Sequence, residues 1–60
     1  MAWLTVDKLG DEEIFNGEPT RGNFSWVGQF NEDGVILPKG TIEKLIGRTL
    51  TWEDAPVKII

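Results

Sequence analysis

Polar and apolar residues alternate at the start of the chain. In Ala2-Trp3-Leu4-Thr5-Val6-Asp7 a period of two puts Leu4 and Val6 on one face of a strand and Trp3 on the other. Asp7-Lys8-Leu9-Gly10-Asp11 has the glycine and aspartates of a turn, so Glu12 to Phe15 is expected to return as the second strand of a hairpin. Ile14 and Phe15 then point to opposite faces. Asn16-Gly17 suits a positive-φ turn, and Glu18-Pro19-Thr20-Arg21-Gly22 reads as irregular chain or a sheet edge, because Pro19 has no backbone N–H to donate.

Phe24-Ser25-Trp26-Val27-Gly28-Gln29-Phe30 reads as a strand with Phe24, Trp26 and Phe30 in one stripe; Gly28 would leave a gap there for a bulge or for close packing. Asn31 to Gly34 is a turn by composition, and Val35 to Leu37 a short strand ended by Pro38, which predicts a second hairpin. After Pro38 the period changes. Ile42, Leu45 and Ile46 fall at i, i+3 and i+4, with Thr41 placed as N-cap and Gly47 as the stop, so the spacing predicts one short helix over 41–46 that must dock on the sheet to persist. Alternation returns over Arg48 to Trp52, and a turn at Glu53 to Pro56 leads to Val57 to Ile60, a third hairpin. The expected fold is mainly β (α+β): a single domain over 1–60 with five to six short antiparallel strands in a bent sheet or barrel-like arrangement and one short helix. Closing the sheet, or covering it with the helix, would remove its edges.

Length constrains how this pattern can be stabilised. A chain of 60 residues and 6.7 kDa buries only about 60% of its surface on folding, so the core is thin. The chain has no cysteine and no histidine, which removes disulfides, thiolate metal clusters and the commonest general base. The acid pairs Glu12-Glu13, Glu32-Asp33 and Glu53-Asp54 are sequence neighbours, which a strand would send to opposite sides, so they do not form a catalytic carboxylate pair. Asn31 to Gly34 lacks the twelve-residue spacing of a calcium loop, and Lys39-Gly40 lacks the order of a phosphate-binding loop. No catalytic residue, metal or cofactor is expected.

Charge is unevenly spread. Residues 1–34 carry a net −5 and residues 35–60 a net +1, within a total of −4. Around the aromatic stripe the nearest cation is Arg21, whereas Glu32 and Asp33 follow it directly, so nucleic-acid phosphate is disfavoured as a partner. No basic leader precedes the first apolar residues, and the longest apolar run is Val35-Ile36-Leu37, so neither a signal peptide nor a membrane span is expected and a cytoplasmic location is the default. Asn23-Phe24-Ser25 matches a glycosylation acceptor only as text.

Leu37-Pro38-Lys39-Gly40-Thr41-Ile42-Glu43-Lys44-Leu45-Ile46-Gly47-Arg48, with Thr51-Trp52-Glu53-Asp54, Pro56-Val57 and the opening Met1-Ala2-Trp3-Leu4-Thr5-Val6, resembles a family of small uncharacterised bacterial proteins often found among phage and prophage genes. The resemblance implies context alone, a cytoplasmic accessory protein of mobile-element origin, and assigns no residue a role.

The leading functional expectation is a non-enzymatic module that binds another protein through an exposed Trp3 or Trp52, with Glu12, Glu13 and Glu18 as the acidic surroundings. One alternative is an acidic decoy, in which the acids of residues 7–18 and 32–33 imitate nucleic acid. Another is a binder of single-stranded nucleic acid or a small ligand through Phe24, Trp26 and Phe30, although core packing is the default role for most of the aromatics. The edge formed by Val57 to Ile60 could also pair two copies into a homodimer.

Overall fold

The structure, a computed structural model, describes residues 2–60; Met1, the first residue of the opening motif, lies outside the described residues. The N-terminal hairpin forms as its alternation predicts. Strand β1 (Trp3–Val6) pairs antiparallel with β2 (Glu12–Phe15), with Leu4 opposite Ile14 and Thr5 opposite Glu13. Asp7 fastens the turn: its Oδ1 accepts the N–H groups of Leu9 and Asp11, both at 2.9 Å. Two further strands, β3 (Thr20–Arg21) and β4 (Trp26–Val27), make a separate two-stranded ribbon. Strand β5 (Val35–Leu37), helix α1 (Thr41–Ile46) and strand β6 (Val57–Lys58) follow.

The protein is mainly β, and among the described residues one short α-helix accompanies six strands in two antiparallel sheets. The larger sheet has the order β5-β2-β1-β6, open, with β5 and β6 at its edges. Two of the three expected hairpins are therefore replaced by longer-range pairings. Strand β5 pairs with β2 rather than with the aromatic run before it, and β6 pairs with β1 rather than with residues 48–52. The pairing along β6 continues to the N–H of Ile59, which donates to the carbonyl of Ala2 at 2.9 Å.

Local chemistry explains both departures. Residues 24–30 cannot run as one strand, because the Gly22 N–H bonds to the Ser25 carbonyl and closes a tight turn just before β4. Beyond Val27, buried Gly28 lies against the Glu32 carbonyl, where an added Cβ would sit at 2.3 Å, and the chain curls into a 3-10 turn over Gln29–Asn31. At residues 48–52 the Asp54 carboxylate takes the Thr51 N–H at 2.7 Å, while the Asp54 N–H bonds to the Thr51 carbonyl at 3.0 Å. This side-chain turn removes the donor a strand would need.

The sheet has two working faces. Leu4, Val6, Ile14, Leu37 and Val57 share one of them, where they pack with Ile42 of α1 and Leu50; Ile46 also contributes, whereas Leu45 stays exposed. Leu4 and Ile42 are fully enclosed, each such burial stabilising by about 1.5–3 kcal/mol. The opposite face carries Trp3, Thr5, Glu13 and Phe15. Phe15 is buried there, with its ring against Gly28 and Gly34.

Helix α1 begins one residue earlier than the capping pattern suggested. Gly40, at φ 91°, is the N-cap, and Thr41 is the first helical residue with its hydroxyl turned to the Pro38 carbonyl at 2.6 Å. The cap comes from the sheet instead. Glu12 accepts the Gly40 N–H at 2.7 Å and the Ile42 N–H at 2.8 Å, one on each carboxylate oxygen. Gly47, at φ 80°, ends the helix as expected, its N–H bonding to the Glu43 carbonyl at 2.8 Å.

Candidate functional site

The register separates the two neighbouring acids of β2. Glu12, opposite Val6, faces the helix, and its carboxyl is held below the usual carboxylate range, chiefly by the Ile42 N–H and further by the Gly40 N–H and Lys39. Glu13, opposite Thr5, faces the other way. Its carboxyl is pushed up, first by burial and then by Asp7, Asp11 and Asp33. Glu13 Oε1 and the hydroxyl of Thr5, a residue only 2% exposed, are both buried with no hydrogen-bond partner among the described residues. Neither acid therefore presents a freely solvated carboxylate of the kind expected at the rim of a contact surface.

Trp52 is also engaged within the fold. Its ring meets Trp26 edge-on, with centroids 5.6 Å apart and planes at 63°. The Arg21 guanidinium lies 4.5 Å from the centroid of each ring, donates from Nη1 to the Trp52 carbonyl and from Nη2 to the Asp54 carbonyl at 3.4 Å. Trp26 is itself buried, and its indole N–H donates to the Val6 carbonyl at 2.9 Å, pinning the ribbon to the end of β1. Arg21, Trp26 and Trp52 thus form a clasp between the ribbon and the chain after the helix.

The two remaining site residues, Trp3 and Glu18, come together. They line an open cleft of about 600 Å³ with Asn16, Gly17, Gln29, Phe30 and Glu32. Each wall has a local cause. Trp3 is the outward residue of β1, half-buried on the face opposite the Leu4 core. Asn16 and Gly17 turn the chain after β2, and Gln29 packs so closely on Gly17 that a Cβ there would be 2.8 Å from Gln29 Oε1. Phe30 stands at the rim with φ 56° and ψ 33°, followed by Asn31 at φ 59°, and its side chain is 97% exposed. The left-handed region costs a bulky L-residue about 1–2 kcal/mol. Glu18 and Glu32 are both exposed, and among the described residues no cation lines the cleft.

Gln29 and Phe30 line this cleft although the strand reading of 24–30 placed them elsewhere, and Glu32 joins them from the turn that follows. The signal was present in Asn31-Glu32-Asp33-Gly34, four turn-forming residues directly after Phe30 that an extended strand would have to run into. The stripe of Phe24, Trp26 and Phe30 does not form as a platform either, since Trp26 is buried while Phe24 is exposed beneath the Lys8 ammonium, 5.2 Å from its ring centroid. Of the six aromatics, only Phe15 and Trp26 are buried. Among the described residues no three acidic side chains converge as metal ligands would, and no helix is long and apolar enough to cross a membrane. Comparison with known proteins found no matching family model, no similar curated protein and no similar solved structure.

Proposed function

We propose that the protein is a non-enzymatic protein-binding module whose contact surface is the cleft between Trp3 and Phe30. The observation that carries this reading is Phe30, a 97% exposed aromatic held in a left-handed backbone conformation. A thin domain gains no packing from that side chain yet carries its conformational cost; covering the ring with a partner would contribute about 1.5–3 kcal/mol of apolar burial. The half-buried Trp3 supplies a second aromatic wall. The same reading keeps the mobile-element accessory context as a proposal and places the partner in the compartment where the protein is made.

The decoy alternative has less support, because Glu12 is committed to the helix and Glu13 is partly enclosed, which thins the acidic surface a phosphate mimic needs. The test is affinity capture from the host with the parent protein, Phe30→Ala and the control Leu45→Ala, each first shown to fold. A partner retained by the parent and Leu45→Ala but lost with Phe30→Ala is the expected result. Equal recovery by all three would overturn the reading.

A further inference from the structure

The cleft combines Trp3 on its wall and Phe30 at its rim with two carboxylates, and among the described residues no cation lines it. Its lining holds Trp3 and Phe30, and Glu18 and Glu32 at solvent-exposed positions. Asn16 and Gln29 add amide oxygens able to accept hydrogen bonds. Elsewhere in the same molecule aromatic rings already carry cations: Arg21 lies 4.5 Å from the centroids of both Trp26 and Trp52, and Lys8 lies 5.2 Å from the Phe24 centroid. No such contact is found for Trp3 or Phe30 among the described residues. Lys58 is opposite Trp3 on β6 but does not line the cleft.

We infer that the cleft takes the cationic side chain of a partner protein, an arginine on an exposed or extended segment, with Trp3 and Phe30 against the guanidinium plane and Glu18 and Glu32 as its counter-ions. This inference rests on the cleft being the contact surface and adds the chemistry of what enters it. A guanidinium suits the site better than an ammonium, since its flat face stacks on a ring while its edge donates several hydrogen bonds to carboxylate and amide oxygens. A purely apolar side chain would leave two carboxylates at the rim uncompensated and partly desolvated.

The experiment is an amide and indole NMR titration of the full chain with the blocked peptide acetyl-Gly-Ala-Arg-Ala-Gly-amide and with its citrulline counterpart, which keeps the shape and loses the charge. The arginine peptide should shift the Trp3 indole and the Gln29 and Phe30 amides, with the citrulline peptide about five- to tenfold weaker. Phe30→Gly, which relieves the positive φ and so keeps the fold, should abolish those shifts. Glu18→Gln with Glu32→Gln should weaken binding several-fold and flatten its salt dependence, while Lys58→Ala should strengthen it. Equal affinity for the two peptides, at the cleft, would overturn the cation inference and leave the contact surface standing. Shifts scattered over the acidic half of the protein, or none at the cleft, would overturn the inference too. Capture through Phe30 would then decide separately whether the contact surface survives.

Discussion

Replacing Glu12 should weaken the whole domain, because one carboxylate ties the central hairpin to helix α1. Helix α1 has six residues and no cap from a side chain of its own segment. Thr41, the residue that could have served, turns its hydroxyl to the Pro38 carbonyl. Glu12 accepts two backbone N–H groups at 2.7 and 2.8 Å, each a charge-assisted hydrogen bond. Losing an N-cap costs about 0.5–2 kcal/mol, and with two charged bonds the upper end applies, so Glu12→Ala should lose about 2 kcal/mol. At about 0.05–0.15 kcal/mol per residue, a chain of this length has about 3–9 kcal/mol in all. Its melting temperature should fall by about 8–16 °C, read by circular dichroism. Glu12→Gln keeps the stem and one acceptor oxygen and should lose about half as much. The lowered folded pKa of Glu12 fixes the sign with pH: its stabilisation is complete above the unfolded value of about 4.3 and is lost as pH falls through the folded value. The gap between parent and Glu12→Gln should therefore close in acid. An alanine variant melting within about 3 °C of the parent at neutral pH, or a gap that does not narrow in acid, would refute this account.

Glu13 should behave in the opposite sense. Its folded pKa is raised, so the protonated carboxyl favours folding at low pH and that contribution is lost as pH rises through the folded value; Glu13→Gln should melt a few degrees higher than the parent at pH 7 and lose the advantage below about pH 4. Gly34→Ala places a Cβ 2.6 Å from the Phe15 ring and Gly28→Ala one 2.3 Å from the Glu32 carbonyl, so each should cost about 1–3 kcal/mol in urea unfolding. Arg21→Lys should lose about 1 kcal/mol and shift tryptophan emission, because an ammonium cannot stack on Trp26 and Trp52 together. Phe30→Gly should leave the melting temperature unchanged or higher, since the ring is 97% exposed and the φ of 56° suits glycine; a loss of more than about 3 kcal/mol would mean that the ring packs after all.

The elements with regular spacing were legible before any coordinates. Leu4 and Val6 on one face, the return through Glu12 to Phe15, and a helix over 41–46 ended at Gly47 all follow from period and turn chemistry. What alternation cannot carry is the identity of a strand's partner. Val35–Leu37 and Val57–Lys58 are short, and each could be read as returning on its immediate predecessor; only the shared core of Leu4, Ile42 and Leu50 selects β2 and β1 instead. The candidate site was half legible for the same reason. Trp3 and Glu18 are expected as an exposed aromatic and one of the acids around it, and they do line one cleft. Glu12 and Trp52 had equal claim by residue type, yet tertiary hydrogen bonding and Arg21 stacking claim both of them. Phe30 was hidden because a single left-handed turn reversed the side it faces, and period-two reading assumes an extended chain.

The Ile59 N–H donates to the Ala2 carbonyl at 2.9 Å, so the first and last stretches of the described chain run side by side, next to the central strand. A host protein could therefore carry this unit as an insertion in one of its surface loops, entering and leaving at nearly the same point and leaving the host's own ends undisturbed. Joining those ends by a short glycine-rich bridge would also reduce the freedom of the unfolded chain and protect the last strand from fraying. A cleft on so small a unit can be moved between scaffolds through a single point of attachment.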